Sequence, residues 1–434
     1  MRRFLFVFLA VMVSLFNVSA QTPEDIAADW EKWRISNVLP SDTRHSDVKR
    51  YLDEIRKLGI KVEQVGVSNA NREIYQMEWG SGPLKVFMWS QMHGDEPTAT
   101  PALIDLFVFL QKNADRPDVK LISEKITLRA VPMLNPDGAE QFIRRNLQGI
   151  DINRDAINLA TPEARILKRL RDDWNPAIGF NLHNQQELTT AGNAPRQAAI
   201  SFLVVYGDPE KTTDAGQERN LRLASAMTRA LQRFIPGHIG RYSDEWTPTA
   251  FGDNFSAWGT PTILIETGGL HGRDEMFLVK LNFVAFMTAL NALATGSEAN
   301  ESTAPYLSLP LNGSGILAHV IFRNATVVNA GRPANGESVI VAVRQRRRAS
   351  FAQAFLITSV ARDTRLVGLS EYNAAGHYVV QRFGRLRESE LAEFYFYKKG
   401  RNIDWTSPDL EKEFPPDAVF SGGKFIKGSL PAIR

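Results

Sequence analysis

Between about residues 45 and 295 the apolar positions show two alternating textures. Helical spacing marks "DVKRYLDEIRKLG", "PTATPALIDLFVFLQKN", "EARILKRLRDDW", "ERNLRLASAMTRALQRFI" and the long "EMFLVKLNFVAFMTALNAL". Between them stand strand-like runs: "KVEQVGV", "REIYQMEWG", "LKVFMW", "KITLRAVPML", "AIGFNLH", "SFLVVYG" and "PTILIET". Most of these are continuously apolar rather than alternating, as strands covered on both faces are. The pattern predicts an α/β fold, with a mixed, mainly parallel sheet and helices on both faces. Upstream, "QTPEDIAADWEKWRIS" reads as a polar lead. Downstream, the polar, proline-bearing "ATGSEANESTAPYLSLPLNGSG" ends the alternation. The texture then changes to short strand-like runs, "HVIFRNATVV", "ESVIVAV", "AFLITSV", "HYVVQRF" and "EFYFYKK", interrupted by a helical pattern only around "ESELAEF". These predict a small, β-rich C-terminal domain over 301–434.

Composition adds three constraints. The 434 residues suit two or three domains, and 44% hydrophobic with 23% charged content is that of a chain with a large core. The net charge of +3 gives no concentrated basic stripe, so no nucleic-acid partner is expected. The run "RQRRR", Arg344 to Arg348, reads as a solvated loop or edge strand, the alternative being contact with an acidic polymer. Residues 1–20 follow the order of a signal peptide: "MRR", the apolar "FLFVFLAVMVSLF", then the small-residue "NVSA". This predicts export to the periplasm or the medium after cleavage at Ala20, and leaves 21–300 as the α/β part. No later stretch reads as a membrane span, so no integral membrane anchor is expected after cleavage. The chain has no cysteine, so any metal site must use His, Asp or Glu.

Candidate ligands sit at the ends of the buried runs. "WSQMHGDEPTAT" sets His93 and Glu96 three positions apart, after an apolar strand and before a helix. In an open α/β sheet that is the carboxyl end of a strand, where sites form. "AIGFNLHNQQ" places His183 at a second strand end, and "TILIETGG" places Glu266 at a third. Two imidazoles and a carboxylate make a zinc ligand set with an open position for water, and a further carboxylate can take that water's proton. The segment "NPDGAEQFIRRNLQGIDINRD", Asn135 to Asp155, packs Arg, Asn and Asp into one loop. That composition suits a substrate with negative charge, which arginine forks bind bidentately.

In this order, "HGDE", "NPDG", "RRNLQGIDINRD", the later "LH" and then "IE" resemble the zinc carboxypeptidase family, the funnelin-type metallopeptidases, over roughly 45–295, in a bacterial secreted form. The resemblance implies an α/β/α sandwich around a mixed sheet and one Zn2+ per chain, held by His93, Glu96 and His183. It implies Glu266 as the general base and Arg144 as the group that polarises the scissile carbonyl, Arg145 being the competing choice. Asn153 and Arg154 match the pair that grips the terminal carboxylate of a peptide substrate. Asp151 matches the carboxylate that orients the first zinc histidine. Tyr242, in "GRYSDEW", is the nearest candidate for the family's mobile tyrosine. The segment "TPTAFGDNFSAWG" does not align cleanly, leaving Phe251, Gly252 and Asp253 as open choices for the specificity pocket. The short span between leader and first helix implies an enzyme active once exported. The other histidines, His45, His238, His271, His319 and His377, read as surface or structural, with His271 the one nearest the base in sequence. The function implied is hydrolysis of the C-terminal peptide bond of peptides. Two other readings stand beside it. One is a zinc-dependent acyl-amino-acid hydrolase or cell-wall peptide amidase on the same fold; the other is a non-catalytic binding protein.

Overall fold

A computed structural model describes residues 21–434 except 346, 347, 349 and 351–353. The expected leader therefore lies outside the described residues, as does part of the "RQRRR" run. The polar lead is in fact a helix, α1 (Pro23–Trp33). The Thr22 hydroxyl caps it by accepting from the Asp25 amide at 3.1 Å, and proline stands in the first turn. Its buried stripe is only Ile26, Ala27 and Trp30, too narrow to stand out in a polar segment.

The N-terminal α/β part continues with α2 (His45–Lys57), β1 (Lys61–Val67), β2 (Glu73–Gly80), β3 (Leu84–Ser90), α3 (Ala99–Lys112), α4 (Pro117–Lys125) and β4 (Ile126–Val131). Next come α5 (Pro136–Gln141), α6 (Pro162–Trp174), β5 (Ile178–Asn184), β6 (Thr190–Ala191), β7 (Ile200–Val205) and α7 (Ala215–Gln232). It ends with β8 (Ile239–Arg241), α8 (Phe251–Ala257), β9 (Thr262–Thr267), α9 (Glu275–Thr295), α10 (Ala304–Leu307) and β10 (Asn312–Gly313). Eight strands form one sheet in the order β1-β2-β4-β3-β5-β9-β7-β8. It is mixed: β4, β3, β5 and β9 run parallel, while β1, β2 and the β9–β7 pair are antiparallel.

Alternate strand residues feed two cores. Val86, Met88, Phe180, Leu182, Ile263 and Ile265 pack with α1, α2, α3, α7 and α9. Phe87, Trp89 and Val131 face the other way and pack with α6 and α8. Because side chains alternate, His183 and Glu266 belong to the α6–α8 face. Helix α9 is long and apolar enough to cross a membrane, contrary to the sequence expectation; two thirds of its most apolar window is buried in the protein core (67%).

The C-terminal β region comprises β11 (Leu317–Asn329), β12 (Arg332–Pro333), β13 (Ser338–Arg344), β14 (Phe355–Ala361), β15 (Val367–Asn373), β16 (His377–Gln381) and β17 (Phe394–Lys398). A short helix, α11 (Leu410–Glu413), precedes β18 (Ala418–Ser421) and β19 (Lys424–Lys427). The long β11 links the region: its first half pairs with β13 and β15, its second with β12 and β16. Phe322, Phe394, Phe396 and Phe420 form an aromatic core there. The "ESELAEF" segment is turn and extended chain rather than helix. Its Leu391 bridges to Leu356, and the adjoining β17 pairs with β16.

Candidate metal centre

Three strand ends and one loop build the site. Residues His93 and Glu96 follow β3 in a tight loop that rests on the start of α5. The fit explains two glycines. A Cβ on Gly94 would lie 1.9 Å from the Gly138 backbone, and one on Gly138 would lie 2.5 Å from the Asn135 side chain. Asn135 fastens the two motifs: its Oδ1 accepts from the Gly138 amide at 2.9 Å, and its Nδ2 donates to the Met92 carbonyl at 3.2 Å. Asp137 is fully buried and accepts from Ser68, Ala70 and Arg72, which fixes the turn before β2. His183 and Glu266 are direct neighbours in register on the parallel strands β5 and β9.

The predicted ligands converge. One ligand atom from each of His93, Glu96 and His183 lies within 4.8 Å of the others, and all three residues are buried. His93 Nδ1 is 2.9 Å from Glu96 Oε1, and His183 Nδ1 is 2.7 Å from Glu96 Oε2. Asp151 Oδ1 accepts from His93 Nε2 at 2.9 Å and from the Asn153 amide at 2.9 Å. Protonation at Nε2 leaves the His93 Nδ1 lone pair turned toward Glu96 and His183. His183 Nε2 is buried with no hydrogen-bond partner, which leaves Nδ1 as the ring atom engaged in the cluster. Two nitrogens and a carboxylate, buried and convergent, fit a zinc ion by the chemistry of their donors.

The charges are tuned by one another. Burial raises the Glu96 carboxyl, but His93 and His183 outweigh it and hold it well below the usual range. Burial opposes charge on His93, yet Glu96 and Asp151 raise it to about 9. Burial lowers His183. Asp151 is also held low: burial works against this, and the His93 and Arg144 contacts prevail.

Of the two candidate arginines, the fold brings Arg144 to the cluster. Its Nε donates to Asp151 at 3.0 Å, and its Nη1 lies 3.1 Å from both Glu96 Oε1 and His93 Nδ1. Arg145 turns outward to the Gly149 carbonyl at 2.9 Å. Asn153 is buried, and its Oδ1 accepts from the Phe251 amide at 2.9 Å, tying the loop to α8. Arg154 is exposed beside it and bonds the Asn153 carbonyl at 2.6 Å. Tyr242 is 39% exposed. Burial and the charges of Glu266 and Glu96 raise its phenol, while Arg144 and Arg154 oppose them, so the phenol lies within electrostatic reach of the cluster. Among the pocket candidates, Phe251 is buried in the core with Phe255 and Trp258. Gly252 faces Asn181, whose Nδ2 a Cβ there would meet at 3.2 Å. Asp253 accepts from the Thr247 amide at 2.8 Å, and burial raises its carboxyl to about 6.

Sequence reasoning missed two residues. Asn184 donates its backbone amide to Glu96 Oε2 at 3.1 Å and exchanges two side-chain bonds with Thr98, at 2.7 and 3.1 Å. Asn181 is buried two positions before His183, and neither amide atom has a hydrogen-bond partner. The signal was present in "AIGFNLHN", where a polar side chain repeats the face of the histidine inside an apolar strand. His271 lies outside the ligand cluster, and His319 instead faces Glu187 at 3.2 Å.

Residues 48–235 match the family model described as zinc carboxypeptidase. The chain is similar to Carboxypeptidase 2 of Trichophyton tonsurans, 33% identical over 114 residues, which are 26% of this chain and 20% of that protein. It is similar to Carboxypeptidase SOL1 of Arabidopsis thaliana, 34% identical over 93 residues, 19% of each chain. The matches thus span about a fifth of the length of these curated relatives. Among solved structures, a metallo-carboxypeptidase from Burkholderia cenocepacia is similar at 15% identity and a TM-score of 0.48, covering 58% of this chain and 69% of that one.

Proposed function

We propose that the chain is a zinc-dependent carboxypeptidase acting on peptides with a free C-terminal carboxylate, a reading supported by the match of residues 48–235 to the zinc carboxypeptidase model. The observation that carries this reading is the convergence of His93, Glu96 and His183 beside Glu266 and Arg144. His93 and His183 through Nδ1, with the Glu96 carboxylate, would hold one zinc ion per chain. When bound, zinc supplies a Lewis acid that polarises water and the scissile carbonyl. Glu266 takes the proton of the attacking water and returns it to the leaving amine. Arg144, steadied by Asp151, stabilises the carbonyl oxygen as charge develops on it. Asp151 keeps His93 in the tautomer that presents Nδ1. Asn153 and Arg154 receive the terminal carboxylate, and Tyr242 covers the bound residue. Export is part of the same proposal and is supported by the order of residue types in 1–20.

The carboxylate grip separates a carboxypeptidase from an endopeptidase or amidase. An unpaired, desolvated guanidinium or carboxylate costs a few kcal/mol, so losing either partner does similar damage. Arg154→Ala is expected to slow cleavage of free-acid peptides by about two orders of magnitude and to change amidated ones little. The four rates of wild type and variant on matched peptides form a double-mutant cycle. A coupling near zero would reject the grip.

A further inference from the structure

A cavity of about 400 Å³ lies between the catalytic part and the C-terminal β region. Thr98, Asn184 and Gly268 line one side; Val320, Leu369 and Ser370 line the other. Its volume falls within the roughly 300–1,000 Å³ of ligand sites. Its inner side touches the metal centre, because the Asn184 amide donates to Glu96 and Thr98 is bonded to Asn184. Gly268 stands two residues beyond Glu266.

The cavity is distinct from the carboxylate grip. Arg154 and Asp151 line a separate hollow of about 520 Å³ that shares no residue with this one. A peptide whose terminal carboxylate meets Arg154, and whose scissile carbonyl lies at the cluster, needs a second hollow beside the cluster for its N-terminal stretch, and the Asn184 side offers one. The far wall is fastened there. Arg344 and His319, from β13 and β11, both bond Glu187. Glu187, His319 and Arg344 line the cavity themselves, so the C-terminal sheet is anchored at its rim.

We propose that this cavity takes the stretch of peptide N-terminal to the scissile bond, so the C-terminal β region forms half of the substrate cleft. The inference rests on the carboxypeptidase reading and adds that the substrate is an extended peptide rather than a single acylated residue. Contacts remote from the reacting bond are realised as faster turnover, so truncated substrates lose rate.

The test compares kcat/KM for an N-acetylated dipeptide and a pentapeptide with the same last two residues, using the full chain loaded with zinc. Wild type is expected to favour the pentapeptide by about tenfold or more. Ser370→Trp fills the cavity from the C-terminal side and is expected to bring the ratio close to one. Leu369→Ala, a smaller change, is expected to lower it partway. A wild-type ratio near one overturns the proposal. So does an unchanged ratio in a Ser370→Trp chain whose circular dichroism and Tm match wild type. Should Ser370→Trp fail to fold, an unchanged ratio in Leu369→Ala overturns it. If wild type hydrolyses neither peptide, the activity reading fails instead. Fluorescence anisotropy of a labelled pentapeptide then decides the cavity without turnover: weaker binding to either variant supports it, and equal binding rejects it.

Discussion

Glu266 and His183 meet because parallel strands set their residues side by side in register, and a shift of one residue would bury both in the opposite core. Glu266→Gln keeps that position and volume but accepts no proton. It is expected to retain zinc while kcat falls by roughly two to four orders of magnitude. Metal analysis alongside initial rates checks this, and near-normal turnover would place the base elsewhere. Asp253 offers a test of stability against pH. Burial raises its carboxyl to about 6 from the ordinary 3.8. A raised acid binds its proton more tightly when folded, so this stabilising contribution is present below about pH 4 and is lost as pH climbs through about 6. Asp253→Asn, which needs no proton to stay neutral, is expected to be more stable than wild type at pH 8 by about 2 kcal/mol, and no more stable at pH 4. Denaturant unfolding at the two pH values measures the difference; an equal offset at both would deny the shift.

Among the elements, what sequence revealed and what it hid divide along contact range. Strands β3, β5, β7 and β9 were legible because nearly every position is buried and most are apolar, and β4 because its alternate apolar residues are buried. The residues of the convergent cluster were legible because each stands at or just beyond the end of such a run. Helix α1 was hidden because three buried residues and a long-range bond from Trp30 to Asp105, rather than a wide apolar face, hold it down. The resemblance already favoured Arg144 over Arg145, and the fold adds a physical reason, since the adjacent side chains point apart and only Arg144 bonds Asp151. The bridge from Glu187 to His319 and Arg344 was also out of reach, because its members are 132 and 157 positions apart. It carries its own prediction. Burial raises the Glu187 carboxyl, but His319 and Arg344 hold it down at about 2, from 4.5. A lowered acid contributes stability above about pH 4.5 that is lost as pH falls toward 2. The shift corresponds to at most about 3 kcal/mol, and to nearer 1–2 once part exposure and screening are allowed for. Glu187→Gln is expected to lower stability by that amount at pH 7, and by little at pH 2.5. An acid titration of Tm for both chains checks it, and a difference that persists undiminished at pH 2.5 counts against the bridge.

At the scale of the whole molecule, the ligand set links folding to metal. His93 and Glu96 come from the loop after β3, His183 from the end of β5, and Asp151 ties in the loop after α5. None of these groups converges in an unfolded chain, so zinc bound at the site stabilises the folded state by mass action. At free zinc about 1,000 times its Kd the gain is about 4 kcal/mol. For the N-terminal α/β part, at about 2.1 cal/mol/K of unfolding entropy per residue, that corresponds to roughly 7 °C in Tm. The C-terminal sheet has a separate core around Phe322, which shares no residue with the one beneath α9. Should the two parts melt separately, only the transition of the catalytic part is expected to move with zinc, and chelation is expected to return it. His183→Ala removes one ligand and is expected to abolish the zinc-dependent rise together with activity. The control matters because the buried pairs of Glu96 with His93 and His183 already stabilise the fold without metal, and their loss alone lowers Tm. The diagnostic quantity is therefore the zinc-induced increment, measured calorimetrically for both chains. An increment of equal size in His183→Ala would mean that zinc binds elsewhere and that the convergence of His93, Glu96 and His183 serves packing alone.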